Sequence, residues 1–174
     1  MKIEIESTLI SEAEIQRRVR ELGQQISEDY STREPVLVCV LKGAAVFFAD
    51  LFRTLSIPVR CEFIQLASYD DRTESSGHVR VIQGLNGNLH NADVVVVEDI
   101  VDTGQTLSFL MEEFEALEPA SVKVCSLLNK PTRRIMSTTI DYVGFEIPDT
   151  FVVGYGLDYA QKYRNLREIY HIKT

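Results

Sequence analysis

The residue types best suited to chemistry crowd into one segment, VVVVEDIVDTGQTLSFL, residues 94 to 110. Four valines lead into Glu98 and Asp99, and Asp102-Thr103-Gly104-Gln105-Thr106 then makes a turn of mostly small residues before a helical pattern. A helix start leaves backbone N–H groups unpaired at the positive end of the dipole, so this turn is suited to cradle an anion. Gly104 allows close backbone approach, and the hydroxyls of Thr103 and Thr106 add donors. Carboxylates beside a phosphate cradle must serve something else. They can accept hydrogen bonds from sugar hydroxyls or be neutralised by Mg²⁺. The simpler reading makes Asp102 only a helix cap at a strand-to-helix junction. With Glu98-Asp99 just upstream, the pattern favours a ligand carrying both a phosphate and a ribose. Neither Gly-x-x-x-x-Gly-Lys-Ser/Thr nor Gly-x-Gly-x-x-Gly is present here, which excludes an ATPase P-loop and a dinucleotide fingerprint.

These residues need a scaffold, and the hydropathy pattern supplies one. Ser11-Glu-Ala-Glu14 is a capping box, and Ile15, Val19, Leu22 and Ile26 recur at helical spacing, so a helix is expected from Ser11 to about Ile26. After Pro35, Val36 to Leu41 is an unbroken apolar run that predicts a strand buried on both faces, closed by Lys42-Gly43. The pattern then predicts a helix over 44–55, a strand over 59–66, a polar loop over 68–77 and a strand over 79–83. Turn material follows over 84–91, and the valine strand over 94–97 ends at the two acids. A helix over 107–117 and strands over 122–128, 142–147 and 151–153 complete the series. Buried strands alternating with helices imply an α/β fold with a largely parallel sheet, in which ligands bind at the carboxyl ends of the strands.

The chain has 174 residues, 45% hydrophobic and 25% charged, with a net charge of −8. One domain over 1–174 is expected, with no repeat, linker or low-complexity boundary. The acidic balance argues against sequence-independent nucleic-acid binding, although Lys130, Arg133 and Arg134 could form a local basic patch. No apolar run approaches the roughly 20 residues that span a bilayer, and the acidic start is unlike a secretory signal, so a cytoplasmic protein without membrane association is expected. Cys39, Cys61 and Cys125 sit in apolar stretches and read as reduced core residues. His78, His90 and His171 are scattered, with no metal-binding spacing.

The run from Val97 to Leu107 resembles the phosphoribosyl pyrophosphate (PRPP) signature of type I phosphoribosyltransferases. Leu41-Lys42-Gly43, Ser68-Tyr69, Lys130, Gly144 to Asp149 and Phe151 to Tyr159 are similar, in order and spacing, to the bacterial hypoxanthine-guanine subfamily. The resemblance implies the type I phosphoribosyltransferase fold, a largely parallel sheet flanked by helices, with a small hood formed from the termini. It also implies purine salvage: transfer of 5-phosphoribosyl from PRPP to N9 of a 6-oxopurine, with Mg²⁺ as cofactor.

The same resemblance assigns roles. Glu98 and Asp99 would engage the ribose hydroxyls and the hydrated metal, and Asp102 to Thr106 would hold the 5′-phosphate. Asp102 would also be the general base near N7 of the purine. Leu41-Lys42-Gly43 would form the pyrophosphate loop, often with a cis peptide before the lysine. Arg164 would reach the pyrophosphate, and Ser68-Tyr69 would begin the loop that closes over the site. Lys130 would donate to the exocyclic O6, Phe151 would stack on the purine, and the backbone of Val152 would read its edge. Asp158 would serve at the purine end and as a metal ligand. A homodimer or homotetramer is implied. The competing reading keeps the fold but makes it a PRPP-sensing regulator that binds nucleic acid.

Overall fold

The computed structural model describes residues 4–68, 79–85 and 87–173. Its first helix, α1 (Glu12–Asp29), starts where the capping box places it: the Ser11 hydroxyl accepts from the Glu14 amide while Glu14 reaches back to the Ser11 amide. Ile15, Val19, Leu22 and Ile26 are buried along its inner stripe. Burial of an aliphatic side chain of this size contributes about 1.5–3 kcal/mol, so this stripe rather than helix propensity holds α1 in place.

β2 (Val36–Leu41) lies near the middle of a six-stranded sheet and is followed by α2 (Ala45–Thr54). The other strands of this sheet are β3 (Arg60–Ser68), β4 (Val79–Gln83), β5 (Asp93–Val101), β6 (Ser121–Asn129) and β7 (Tyr142–Glu146). Their spatial order is β4-β3-β2-β5-β6-β7, parallel throughout except for the antiparallel β3–β4 edge. Side chains alternate across the pleat. Leu37, Cys39, Val95, Val97, Cys125 and Leu127 face a core shared with α1 and α2, whereas Val36, Val38, Val94, Val96 and Val124 face α3 (Gln105–Glu115) through Leu107, Leu110 and Phe114. This explains why the strands read as continuous apolar runs. Arg18 ties α1 to the far edge of the sheet, donating to the carbonyls of Val143 and Gly144 at 2.6 and 3.0 Å.

A second sheet comes from the chain ends. β1 (Glu4–Ile10), β9 (Ile169–Lys173) and β8 (Val152–Val153) pair antiparallel in the order β1-β9-β8, giving the hood. β1 and β9 are absent from the strands read in the sequence, because β1 is mostly exposed and lacks an apolar run. Its strand character comes from pairing with β9, some 160 residues away.

Two boundaries also need correction. β5 does not end at the acids but runs through Glu98 and Asp99 to Val101, because its ladder with β6 continues, Ile100 opposite Leu128 and Val101 opposite Asn129. α3 begins at Gln105, two residues before the expected start. Tyr69 and the polar loop through Gly77 lie outside the described residues. Among those described, no helix is long and apolar enough to cross a membrane. The three cysteines are free, Cys39 and Cys125 buried, and burial together with the nearby acids pushes the Cys39 thiol up to about 12.

Candidate active site

The carboxyl ends of β2 and β5 border a cavity of about 330 Å³. Its wall carries Leu41, Gly43, Glu98, Asp99, Asp102, Thr103, Gly104 and Thr106, so the expected phosphate cradle, acid pair and pyrophosphate loop share one space. Gly104 is the N-cap of α3 in the left-handed region, φ +87°, where an L side chain is strained; it offers no capping side chain, and Thr103 Oγ1 accepts from the Gln105 amide at 3.4 Å. The simple capping role for Asp102 therefore fails. The amides after Gln105 in the first turn of α3 are the ones suited to an anion. The Thr103 carbonyl accepts from the amides of Ile135 and Met136, both at 3.0 Å, which fastens the segment after β6 against the cradle.

Leu41–Lys42 is a cis peptide. Gly43 then passes so close to β5 that a Cβ there would overlap the Asp99 carboxylate. The loop after β2 is thereby held against the acid pair.

Glu98 is buried, and Asp99 is partly covered, its Oδ1 accepting from the Ile100 amide at 2.9 Å. Burial raises the pKa of Glu98 well above the usual carboxylate range, and the neighbouring Asp99 charge adds to the shift. Burial also raises Asp99, against the opposing pull of its amide contacts and the Arg164 guanidinium. Two adjacent desolvated carboxylates with little local countercharge form a donor set that suits a hydrated divalent cation. Among the described residues no three metal-ligating side chains come together, so a cation here would take most of its oxygens from water and the bound ligand. Asp158, assigned with the metal ligands, stands apart from that pair. Its Oδ2 accepts from the Gln161 amide at 2.8 Å and its Oδ1 meets Arg164 Nη2 at 2.6 Å. Arg164 also donates to the Gly156 carbonyl at 2.7 Å, so it braces the turn that carries Asp158.

The other flank is built from three separated segments. Lys130 follows β6 directly and is buried, 6% exposed, with its amide donating to the Val101 carbonyl at 3.0 Å. Its Nζ lies 3.6 Å from Asp102 Oδ2, 3.8 Å from Asp149 Oδ1 and 6.0 Å from the Phe151 ring centroid. A buried lysine at a strand end, facing acids and an aromatic ring, is unlike an ordinary solvated one. Phe151 is 60% exposed, so the core reading that its type alone suggests does not hold. Val152 follows in β8, whose partner β9 fixes its backbone through the Val152–His171 register.

Sequence reasoning left two further members of this flank without a role, Arg133 and Asp149. Arg133 Nε meets Asp102 Oδ1 at 3.1 Å, and its Nη1 meets Asp149 Oδ2 at 3.5 Å. The closeness of Arg133 to Lys130 and the place of Asp149 just before Phe151 were the available signals. Which acid each cation faces is a tertiary fact.

Residues 8–160 match the family model described as phosphoribosyl transferase domain. The hypoxanthine-guanine phosphoribosyltransferase of Bacillus subtilis (strain 168) is 46% identical over 166 residues, 95% of this chain and 92% of that protein. The chain belongs to the hypoxanthine-guanine phosphoribosyltransferase family. The family domain also forms part of a longer protein: the bifunctional TilS/HprT of Listeria innocua is 45% identical over 166 residues, 95% of this chain but 26% of that one. In three dimensions, a Bacillus anthracis hypoxanthine-guanine phosphoribosyltransferase with a HEPES molecule in its active site superposes with a TM-score of 0.93. Identity there is 46%, with 98% of this chain and 100% of that one covered. The cavity at the strand ends is thus the place to seek phosphoribosyltransferase chemistry.

Proposed function

We propose that this phosphoribosyltransferase acts in purine salvage, transferring 5-phosphoribosyl from PRPP to N9 of hypoxanthine and/or guanine to give IMP or GMP and pyrophosphate. One observation carries the reading. Asp102, Lys130 and Phe151, separate in sequence, meet beside a cavity that also holds the anion cradle and the acid pair. The cradle amides and hydroxyls of Asp102 to Thr106 hold the 5′-phosphate, and Glu98 and Asp99 hold the ribose hydroxyls. Leu41-Lys42-Gly43 and Arg164 receive the pyrophosphate, and Ser68-Tyr69 begins the covering loop. Glu98 and Asp99, with Asp158 from the Gly156 turn, would hold a Mg²⁺ bound together with PRPP, and such an ion would supply positive charge to the leaving pyrophosphate.

The transfer breaks C1′–O, and the bonding electron pair leaves with pyrophosphate. N9 supplies the pair for the new C1′–N9 bond, and the N7 proton passes to the Asp102 carboxylate. Lys130 donates to O6 of the base, Phe151 stacks on the ring, and Val152 presents its backbone to the ring edge. Because Lys130 and Arg133 face Asp102 and Asp149, the basic patch is largely neutralised within the site, which favours a purine over nucleic acid. The reading includes a single domain over 1–174 and a homodimer or homotetramer. In support of an oligomer, Val46 and Phe52 are exposed on α2, which follows the pyrophosphate loop, and Phe63 on β3, which pairs with β2.

The test is a substrate panel: PRPP and Mg²⁺ with hypoxanthine, guanine, xanthine or adenine, following pyrophosphate release. Turnover with an oxopurine and little with adenine is expected; no turnover with any of the four overturns the reading.

A further inference from the structure

We propose that Tyr155 is a positioning residue for pyrophosphate: its hydroxyl, seated on Asp50, holds the turn that carries Asp158 and Arg164 against the Leu41-Lys42-Gly43 loop; this deepens the functional reading above and rests on it.

The turn, residues 154–164, is tied within itself. Gly154 and Leu157 exchange amide-to-carbonyl bonds at 3.1 and 3.0 Å, the Gly156 amide donates to the Arg164 carbonyl at 3.0 Å, and Arg164 Nη1 donates to the Gly156 carbonyl at 2.7 Å. These bonds give the turn its shape and leave its placement open. The Tyr155 backbone is left-handed, φ +49°, and its ring is buried in the core shared with α1 and α2. Its hydroxyl donates to Asp50 Oδ2 at 2.7 Å, and Gln16 Nε2 donates to the same oxygen at 2.9 Å. Among the described residues, this is the one hydrogen bond that joins residues 154–164 to α1 or α2.

Asp50 and the pyrophosphate loop belong to one run of chain. α2 starts two residues after Gly43, and the Ala44 and Ala45 amides donate back to the Val40 and Lys42 carbonyls at 3.4 and 3.2 Å. Gly156 passes so close to the loop that a Cβ on it would overlap the Gly43 carbonyl oxygen, just as one on Gly43 would overlap Asp99. Turn, loop and acid pair are therefore stacked in van der Waals contact. Such contact limits how near the turn can come but gives it no directional hold. The Tyr155 bond, one residue away, gives that hold, and its charged acceptor makes it stronger than a neutral pair. Tyr155 thus fixes the gap between Arg164 on the turn and the backbone of the loop, the gap that the functional reading gives to pyrophosphate.

The experiment measures affinity for pyrophosphate with Mg²⁺ and for IMP by calorimetry on the full chain, alongside thermal unfolding. Tyr155→Phe keeps the ring in the core and leaves Asp50 bonded to Gln16. Pyrophosphate affinity is expected to fall about five- to tenfold, and IMP affinity less than about twofold, because the cradle, Lys130 and Phe151 lie off the turn. Asp50→Ala should give the same selective loss, and the double variant no further one. Asp50→Asn keeps an oxygen acceptor and should retain pyrophosphate affinity within about twofold of wild type. A merely structural role lowers the unfolding temperature and weakens both ligands together or neither. Either result overturns the proposal, as do additive losses in the double variant or an Asp50→Asn loss equal to that of Asp50→Ala. A wild type that binds neither pyrophosphate nor IMP overturns the functional reading and this proposal with it; a wild type that binds both, with no selective loss in Tyr155→Phe, overturns this proposal alone.

Discussion

Replacing Lys130 by methionine removes one charge and little volume, and the structure says where the cost should fall. Folding should suffer little. Asp102 and Asp149, the acids Lys130 faces, keep Arg133 at 3.1 and 3.5 Å, and both are partly exposed, so neither becomes a buried unpaired charge. The methionine retains the apolar stem under Phe151, and stability should change by less than about 1 kcal/mol. Catalysis should suffer more. A hydrogen bond from a charged donor to O6 is worth about 1.5–3 kcal/mol, and at 1.4 kcal/mol per tenfold this gives a loss of about 10- to 150-fold in kcat/KM for hypoxanthine. Adenine carries an amino group at that position and cannot accept from lysine, so its already low kcat/KM should stay nearly constant. The assay measures kcat/KM for both bases with saturating PRPP, alongside thermal unfolding of wild type and Lys130→Met. A parallel fall for both bases, or an unchanged hypoxanthine value, would refute the assignment of Lys130 to O6. Unfolding well below wild type would refute the argument that Arg133 suffices for the two acids.

Asp102→Asn should lower kcat about 10²-fold or more while affinity for PRPP, measured by equilibrium binding, stays within a few-fold; a turnover number within about threefold of wild type would contradict a proton-accepting role. Asp29, hydrogen-bonded to Lys123 at 2.8 Å and Tyr142 at 2.6 Å, is held below the usual carboxylate range chiefly by those two partners. Its folded pKa lies under the unfolded value near 3.9, so its stabilisation is present above about pH 4 and is lost as pH falls through the folded value. With the carboxylate 45% exposed, that contribution is below about 1 kcal/mol, and Asp29→Asn should flatten the acid limb of a melting-temperature profile slightly. Leu22, fully buried in α1, should cost about 2–5 kcal/mol as alanine in chemical denaturation, with little effect on kcat at temperatures where the protein stays folded.

Residue order alone determined a good deal of this protein. The valine runs read as strands buried on both faces from their short length and β-branched content, and the Ser11–Glu14 box with its apolar stripe read as a helix from its 3.6-residue spacing, because both signals are local. The run from Glu98 to Thr106 likewise announced an acid pair beside an anion cradle, since the amides of a helix start and the neighbouring carboxylates come from one continuous segment. Tertiary structure decided what depends on distant partners. β1 is polar and exposed, and only pairing with β9 makes it a strand. Whether Phe151 was core or exposed, and whether Lys130 was solvated or enclosed, turned on how β8 and the segment after β6 meet across the sheet end. Arg133 and Asp149 gained their places only there. An ion pair between residues 31 apart, such as Arg133 and Asp102, leaves no periodic mark in the sequence, because its energy depends on where two backbones come to rest rather than on the spacing between them.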